Sequence, residues 1–94
     1  MPPTPDGGVD RDDYPHTIGL SFEYDDQRTA RLVGDAVSVE VGEIDDDRST
    51  ARVDREGRTV TVDVFARDLV ALRAGTNTWL GLVGTAERIC DRVD

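Results

Sequence analysis

The segment HTIGLSFEY, residues 16 to 24, is the first part of the chain in which apolar and polar side chains alternate regularly. Its apolar residues include Ile18, Leu20 and Phe22, and single polar or small residues separate them. This period of two is typical of a strand that buries one face and exposes the other. We therefore expect the folded part of the chain to begin with a strand.

The pattern then changes to the period of a helix. Ala30 and Val33 are followed by Ala36 or Val37 at spacings of three and four residues, which places them on one side of an α-helix. Two aspartates directly precede this segment, and their side chains can accept hydrogen bonds from the first backbone N–H groups of a helix. The sequence predicts a helix from about Gln27 to Ser38.

A hairpin pattern follows the acidic loop GEIDDDR, residues 42 to 48. In the stretch RSTARVDREGRTVTVDVFARD, apolar residues recur at every second position, and the pair Glu56-Gly57 interrupts them with a turn sequence. We expect two strands here, at about residues 49 to 55 and 58 to 66.

The C-terminal segment keeps a helical period although its central part, ALRAGTNTWLGLVG, contains three glycines. Asp68 can cap the start of this helix. One line along the helix carries Leu69, Leu72, Thr76, Leu80 and Val83; beside it lie Trp79, Ala86, Cys90 and Val93, and further around lie Ala71, Gly75, Leu82 and Ile89. A loop would show no such register, so we expect one long helix.

The apolar arc of this last helix covers about half of its circumference, which is wider than the stripe of about 100° that packing on one sheet uses. Each glycine in the helix interior costs about 1 kcal/mol relative to alanine, so we expect another backbone to approach closely there. The pattern indicates that the helix packs on its own sheet with one flank and on a second chain with the other.

Length and composition indicate one small domain behind a tail. A chain of 94 residues suffices for a single domain. Residues 1 to 15 hold all four prolines and few apolar side chains, so we expect a disordered, acidic and proline-rich tail, with one α+β domain at residues 16 to 94. No apolar run approaches the roughly 20 residues of a membrane span, and the N-terminus lacks the pattern of a signal peptide. We expect a cytoplasmic protein.

The charge balance is strongly acidic. Eleven basic residues, all of them arginine, stand against twenty acidic residues, and the net charge is −9. This composition resembles that of proteins from salt-loving archaea, in whose cytoplasm near-molar salt reduces the Debye length to about 3 Å. The acidity therefore indicates a habitat, and it does not exclude a polyanionic partner.

No group of residues in the sequence predicts a catalytic or metal site. His16 is the only histidine and Cys90 the only cysteine, which excludes an internal disulfide and a cysteine-based zinc site and leaves each serine without an evident base. The aspartates at residues 45 to 47 are consecutive and lack the spacing of a calcium loop. We expect a protein that is not an enzyme and has no cofactor.

Two features leave an RNA-binding function open. Gly81 and Gly84 have the GxxG spacing with which KH domains hold nucleotide backbones, although the residues between them are apolar. Arg73 and Asn77 lie four residues apart at the edge of the apolar arc; with Arg67 they could contact RNA phosphates, or these arginines could neutralise neighbouring acidic residues. The alternative function is a free-standing KH-like RNA-binding module.

The segment DLVALRAGTNTWL, residues 68 to 80, resembles the last helix of the Pcc family, the small dimerisation subunit of the KEOPS complex. That helix typically reads close to D-L-x-A-L-R-A-x-x-N-S-x-L. More loosely, the dipeptide SF in the first strand and the dipeptide AR in the first helix resemble the corresponding elements of the family. The resemblance covers residues 16 to 93.

This resemblance implies a fold and a function. The fold is a three-stranded antiparallel sheet, in the order β-α-β-β-α, with two helices packed on one face. Family members are non-catalytic, form homodimers in archaea by joining their sheets, and present their helices to the N-terminal helices of the catalytic threonylcarbamoyl transferase. The complex installs threonylcarbamoyl adenosine beside the tRNA anticodon, so the expected function is a scaffold subunit that bridges copies of the transferase.

The resemblance also suggests which residues serve the partner interface or the sheet core. These residues are Ala71, Leu72, Gly75, Thr76, Trp79, Leu82, Val83 and Ala86. Arg67, Arg73 and Asn77 are candidates for contact with tRNA. We expect Leu82→Asp or Gly75→Arg to leave the domain folded and to abolish association with the transferase.

Overall fold

The computed structural model describes residues 13–41 and 48–93. In these residues the chain forms β1 (His16–Glu23), α1 (Gln27–Ser38), β2 (Ser49–Glu56), β3 (Thr59–Ala66) and α2 (Leu69–Val93). The order and the bounds of these elements follow the predicted pattern closely, and the α+β class is confirmed. The predicted tail and the acidic loop lie, for most of their length, outside the described residues.

The three strands form one antiparallel sheet in the order β1-β3-β2, so the last strand in the sequence is the central one. β2 and β3 form the predicted hairpin, and Gly57 in its turn has a positive φ of 61°, a conformation that glycine adopts without steric cost. Val60, Val62 and Val64 are buried along one side of β3. Within the described residues, β1 and β2 are the two edges of the sheet.

Both helices pack on the same face of the sheet. Val33 and Val37 of α1 and Trp79 of α2 belong to one buried cluster with Val62 and Val64 of β3. The opposite face carries mainly polar and charged side chains, as one-sided packing of an antiparallel sheet requires. The outer sides of the helices and the two sheet edges therefore remain as surfaces for partners.

Aspartates cap the starts of both helices, as the sequence predicts. The Asp26 carboxylate accepts a hydrogen bond from the Thr29 N–H at 2.7 Å, and the Asp68 carboxylate accepts one from the Ala71 N–H at 2.8 Å. These bonds favour the charged carboxylates and lower the pKa of each. The Arg48 guanidinium, 2.7 Å from Asp68, lowers the pKa of that carboxyl further. The Asp68 cap therefore fixes the point at which α2 begins after β3.

Candidate partner-binding surfaces

The covered side of α2 consists largely of residues that were assigned to the partner interface or the sheet core. Trp79 is only 3 % exposed. Its buried neighbours on the same side of the helix are Ala71, Val83, Ala86 and Cys90. Of these assigned residues, Ala71, Trp79, Val83 and Ala86 stabilise the domain itself, because a buried side chain has little surface left to offer to another molecule.

Gly75 also faces the interior of the domain. A Cβ atom at this position would lie 3.0 Å from Cγ1 of Val64 and 3.8 Å from Oγ of Ser49, so α2 approaches its own sheet closely here. The predicted close approach of another backbone is not found at this glycine, because the nearest atoms belong to the side chains of Val64 and Ser49 of its own sheet. The expectation that Gly75→Arg leaves the domain folded is therefore corrected. By contrast, nothing lies within 4 Å of the Cβ position of Gly81.

A groove of about 370 Å³ runs between the first part of α2 and β1, and we call it the α2–β1 groove. Its lining consists of Ile18, Leu69, Leu72, Arg73, Thr76 and Asn77. Leu69 is 66 % exposed, although it belongs to the apolar line of the helix. The Thr76 hydroxyl donates to the Leu72 carbonyl oxygen at 2.7 Å, which satisfies this polar group within the helix. The wall of the groove is therefore largely apolar.

Two of the three candidate tRNA contacts lie together on this groove. Arg73 and Asn77 are exposed and stand at its rim, beside two residues of the predicted interface. Arg67 lies apart from them after β3, where its guanidinium is 5.8 Å from the centre of the Tyr14 ring, within the range of a cation–π contact. One surface thus combines apolar side chains with a cation and an amide.

A smaller groove of about 130 Å³ lies on the other flank of α2, and we call it the α1–α2 groove. It is lined by Ala36, Val37, Glu40, Leu82, Thr85, Ala86 and Ile89. Ile89 is 55 % exposed and Leu82 is half-buried, so apolar surface remains open between the two helices. Sequence analysis assigned Leu82 to a partner interface. It assigned no residue of α1 to such an interface, although Ala36 belongs to the helical pattern that predicted α1.

One polar contact fixes α2 beside β1. The Tyr24 hydroxyl donates a hydrogen bond to the Glu87 carboxylate at 2.8 Å. Burial raises the pKa of Tyr24 above its usual range, and the hydrogen bond and the charge of Glu87 act in the same direction. Sequence analysis missed this pair because the two residues stand 63 positions apart and belong to no recognisable motif.

Among the described residues, no group of three or more histidine, cysteine, aspartate or glutamate side chains could hold a metal ion. In the same part of the chain, neither helix combines the length and the apolar character that crossing a membrane requires. The described surface does offer two apolar grooves with polar rims, an arrangement that suits contact with another protein.

Comparisons with known proteins agree with this fold. The family model described as "Transcription factor Pcc1" matches residues 17–91. A solved structure described as "Crystal structure of binary complex Gon7-Pcc1" superposes with a TM-score of 0.73 at 18 % sequence identity, and the match covers 84 % of this chain and 96 % of that chain. At that identity the likeness shows a shared fold. A comparison with curated proteins gave no match. Because the family match extends from β1 nearly to the end of α2, the chain belongs to the Pcc1 family.

Proposed function

We propose that this chain is a non-catalytic scaffold subunit of the KEOPS complex. In this role, a cytoplasmic homodimer of the chain bridges two copies of the catalytic threonylcarbamoyl transferase and so supports threonylcarbamoyl adenosine modification of tRNA. Membership of the Pcc1 family supports the proposal, as does the similar structure in which a Pcc1 protein forms a binary complex with Gon7. The observation that carries it is the open apolar surface on both flanks of α2.

We assign the α1–α2 groove to the transferase. Two neighbouring helices form a groove in which an amphipathic helix of a partner can place apolar side chains at spacings of three and four residues. Ile89 offers a large apolar side chain at this groove, and Ala36 is small enough to let a partner helix approach closely. Burial of one large apolar side chain contributes roughly 1.5–3 kcal/mol, and this contribution persists at high salt, where charge interactions are screened.

The test is the light-scattering mass of the purified chain in about 2 M KCl, alone and mixed with the transferase subunit of the same organism. We expect the wild-type mass to rise on mixing and Ile89→Asp to abolish the rise, because its carboxylate would be buried against apolar side chains. Leu82→Asp acts in the same direction. The matched control is Val70→Asp, since Val70 is exposed but lines neither groove. A wild-type chain that gains no mass contradicts the proposal.

RNA binding is a second candidate function, and the adjacent side chains of Arg73 and Asn77 favour it. In this role the forked guanidinium of Arg73 contacts phosphate oxygens. Phosphate-driven binding weakens steeply as salt rises, whereas apolar helix packing does not. The candidate requires that Arg73→Ala lose tRNA affinity while the mass gain with the transferase is kept; unchanged tRNA affinity in this variant eliminates it.

A further inference from the structure

The α1–α2 groove has a single ionisable side chain among the described residues that line it. This residue is Glu40, which follows the end of α1 and is half-buried. The other lining residues are apolar except Thr85, and they include the large side chains of Leu82 and Ile89. A carboxylate beside apolar side chains loses part of its hydration, and an opposite charge offsets this cost. The groove therefore suits a helix that brings a cation as well as apolar side chains.

The local structure of α1 does not favour an acidic residue at this position. The Glu40 N–H donates to the Val37 carbonyl oxygen at 3.0 Å, so Glu40 lies in the turn that closes the helix. The C-terminal end of a helix carries partial negative charge, which makes an acidic side chain there unfavourable. Among residues 13–41 and 48–93, the Glu40 side chain takes part in no ion pair or hydrogen bond. Its charge is therefore left for another molecule.

The α2 wall of the same groove has the opposite polarity. Thr85 lines this wall, and its hydroxyl oxygen accepts a hydrogen bond from the exposed Arg88 guanidinium at 3.2 Å. The guanidinium has five N–H donors, so this bond uses only a part of its capacity. The α2 residues that line the groove include no acidic residue. The groove thus has a carboxylate on the side of α1 and a cation beside the side of α2.

Unlike charges on the two walls give a docked helix a direction. Apolar contacts are non-directional, so an apolar groove alone accepts an amphipathic helix in either direction. Reversing the helix in the groove exchanges the sides that face the two walls. In helical bundles, charged residues that flank the apolar seam select the partner and its orientation in this way. A reversed helix in this groove would bring like charges together, which disfavours it.

We propose that Glu40 is a specificity-determining residue of the α1–α2 groove. It pairs with a lysine or arginine on the transferase helix that occupies the groove, and together with Arg88 it fixes the direction in which that helix lies. The inference rests on the proposed function, which assigns the groove to the transferase, and it adds the charge pattern that the partner helix must carry. An ion pair that is partly buried in this way is screened less by salt than an exposed one.

Charge substitutions at Glu40 test this pairing. The measurement is isothermal titration calorimetry of the full chain with the transferase of the same organism in about 2 M KCl. Glu40→Arg should raise the dissociation constant about 10-fold or more, because two cations then meet in the groove. Glu40→Gln removes the charge but keeps the shape, and it should raise the constant about 3-fold. Arg88→Glu should also weaken binding, since it removes the polarity of the α2 wall.

Asp35→Arg is the matched control. It makes the same charge change in the same helix, but Asp35 is exposed and does not line the groove. Both reversals change the net charge equally, so they differ only in the place of the charge. We expect Asp35→Arg to leave the dissociation constant unchanged. Circular dichroism of every variant confirms that the domain is folded.

Reversing charges on the transferase identifies the cation. Each lysine and arginine of its N-terminal helices is changed to glutamate, one at a time, and titrated against the wild-type chain and the Glu40→Arg variant. We expect one of these changes to weaken binding of the wild type and to restore binding of Glu40→Arg. A double-mutant cycle then measures the coupling between the two residues. The same change should bring no gain to Asp35→Arg.

The outcomes separate this inference from the proposed function. If the wild type binds the transferase and Glu40→Arg binds as tightly as Asp35→Arg, the inference is overturned and the proposed function stands. Weakening by Glu40→Arg that no reversal on the transferase restores also overturns the pairing. A wild type that does not bind the transferase overturns both. Selective weakening by Glu40→Arg with rescue by one reversed cation supports both.

Discussion

The two flanks of α2 have similar apolar character, yet the fold covers them differently. On the flank toward α1, the neighbouring helix leaves open the α1–α2 groove of about 130 Å³. On the other flank, β1 is the edge strand of the described sheet, and the α2–β1 groove beside it has a volume of about 370 Å³. Apolar surface is therefore exposed where the sheet ends, even though the helix sequence is apolar on both sides.

Leu80 and Val83 show the difference within one turn of the helix. Both lie on the same predicted apolar line, but Leu80 is 45 % exposed and Val83 only 2 % exposed. Successive residues of a helix are rotated by about 100°, so Val83 lies close in direction to buried Trp79 while Leu80 points well to one side of it. The boundary between covered and open surface runs between these two residues.

The largest expected effect comes from substitutions on either side of this boundary. Trp79→Ala should lower the free energy of unfolding by about 3–5 kcal/mol because it removes a buried aromatic side chain, whereas Leu80→Ala should cost less than about 1 kcal/mol because it removes exposed surface. Urea denaturation of both variants gives the two values. Equal losses would place the boundary elsewhere.

Glycine substitutions sharpen the comparison with smaller effects of opposite sign. Gly81→Ala should raise the free energy of unfolding by about 1 kcal/mol because alanine is the better helix former. At Gly75 the same gain is opposed by overpacking against Val64, which typically costs about 1–3 kcal/mol, so Gly75→Ala should give a net loss of about 1 kcal/mol. Urea denaturation measures both. Equal gains at the two positions would mean that the sheet yields to the added methyl group.

The smallest effect concerns the contact that fixes α2 beside the open edge. Tyr24→Phe removes the hydrogen bond to Glu87 and should lower the free energy of unfolding by about 1 kcal/mol. Because the pKa of Tyr24 is raised in the folded state, its contribution is fully present below about pH 10, the pKa of an unfolded tyrosine, and is lost as the pH rises further. Urea denaturation from about pH 7 to about pH 11 should show the two proteins converging. A constant difference over that range would contradict this account.

The elements could be predicted from the sequence because their signals are local. Asp26 and Asp68 each bond a backbone N–H three residues further on, and the turn at Gly57 depends on the conformation of that one residue. The alternation in β1 and the helical spacing in α1 likewise need no knowledge of the rest of the chain. Local rules therefore sufficed for the order and bounds of the elements.

The grooves were less predictable because they depend on long-range arrangement. A wide apolar arc does not say which part of it meets the sheet, so Gly75 was assigned to a partner although it lies against Val64. β1 is an edge strand because the strand order in the sheet is β1-β3-β2. This order cannot be predicted from the sequence pattern of any one segment. Tyr24 and Glu87 meet only because α2 runs beside β1.

The central position of β3 also governs the order in which the chain can fold during synthesis. β1 leaves the ribosome before β3, its partner in the sheet, so it cannot pair until the β2–β3 hairpin has been synthesised. The hairpin is local and can form quickly, whereas docking β1 closes a long loop and is expected to be the slower step. β1, which has fewer charged side chains than the other edge strand β2, is thus without its partner until β3 is made. During this interval the nascent chain is most exposed to aggregation.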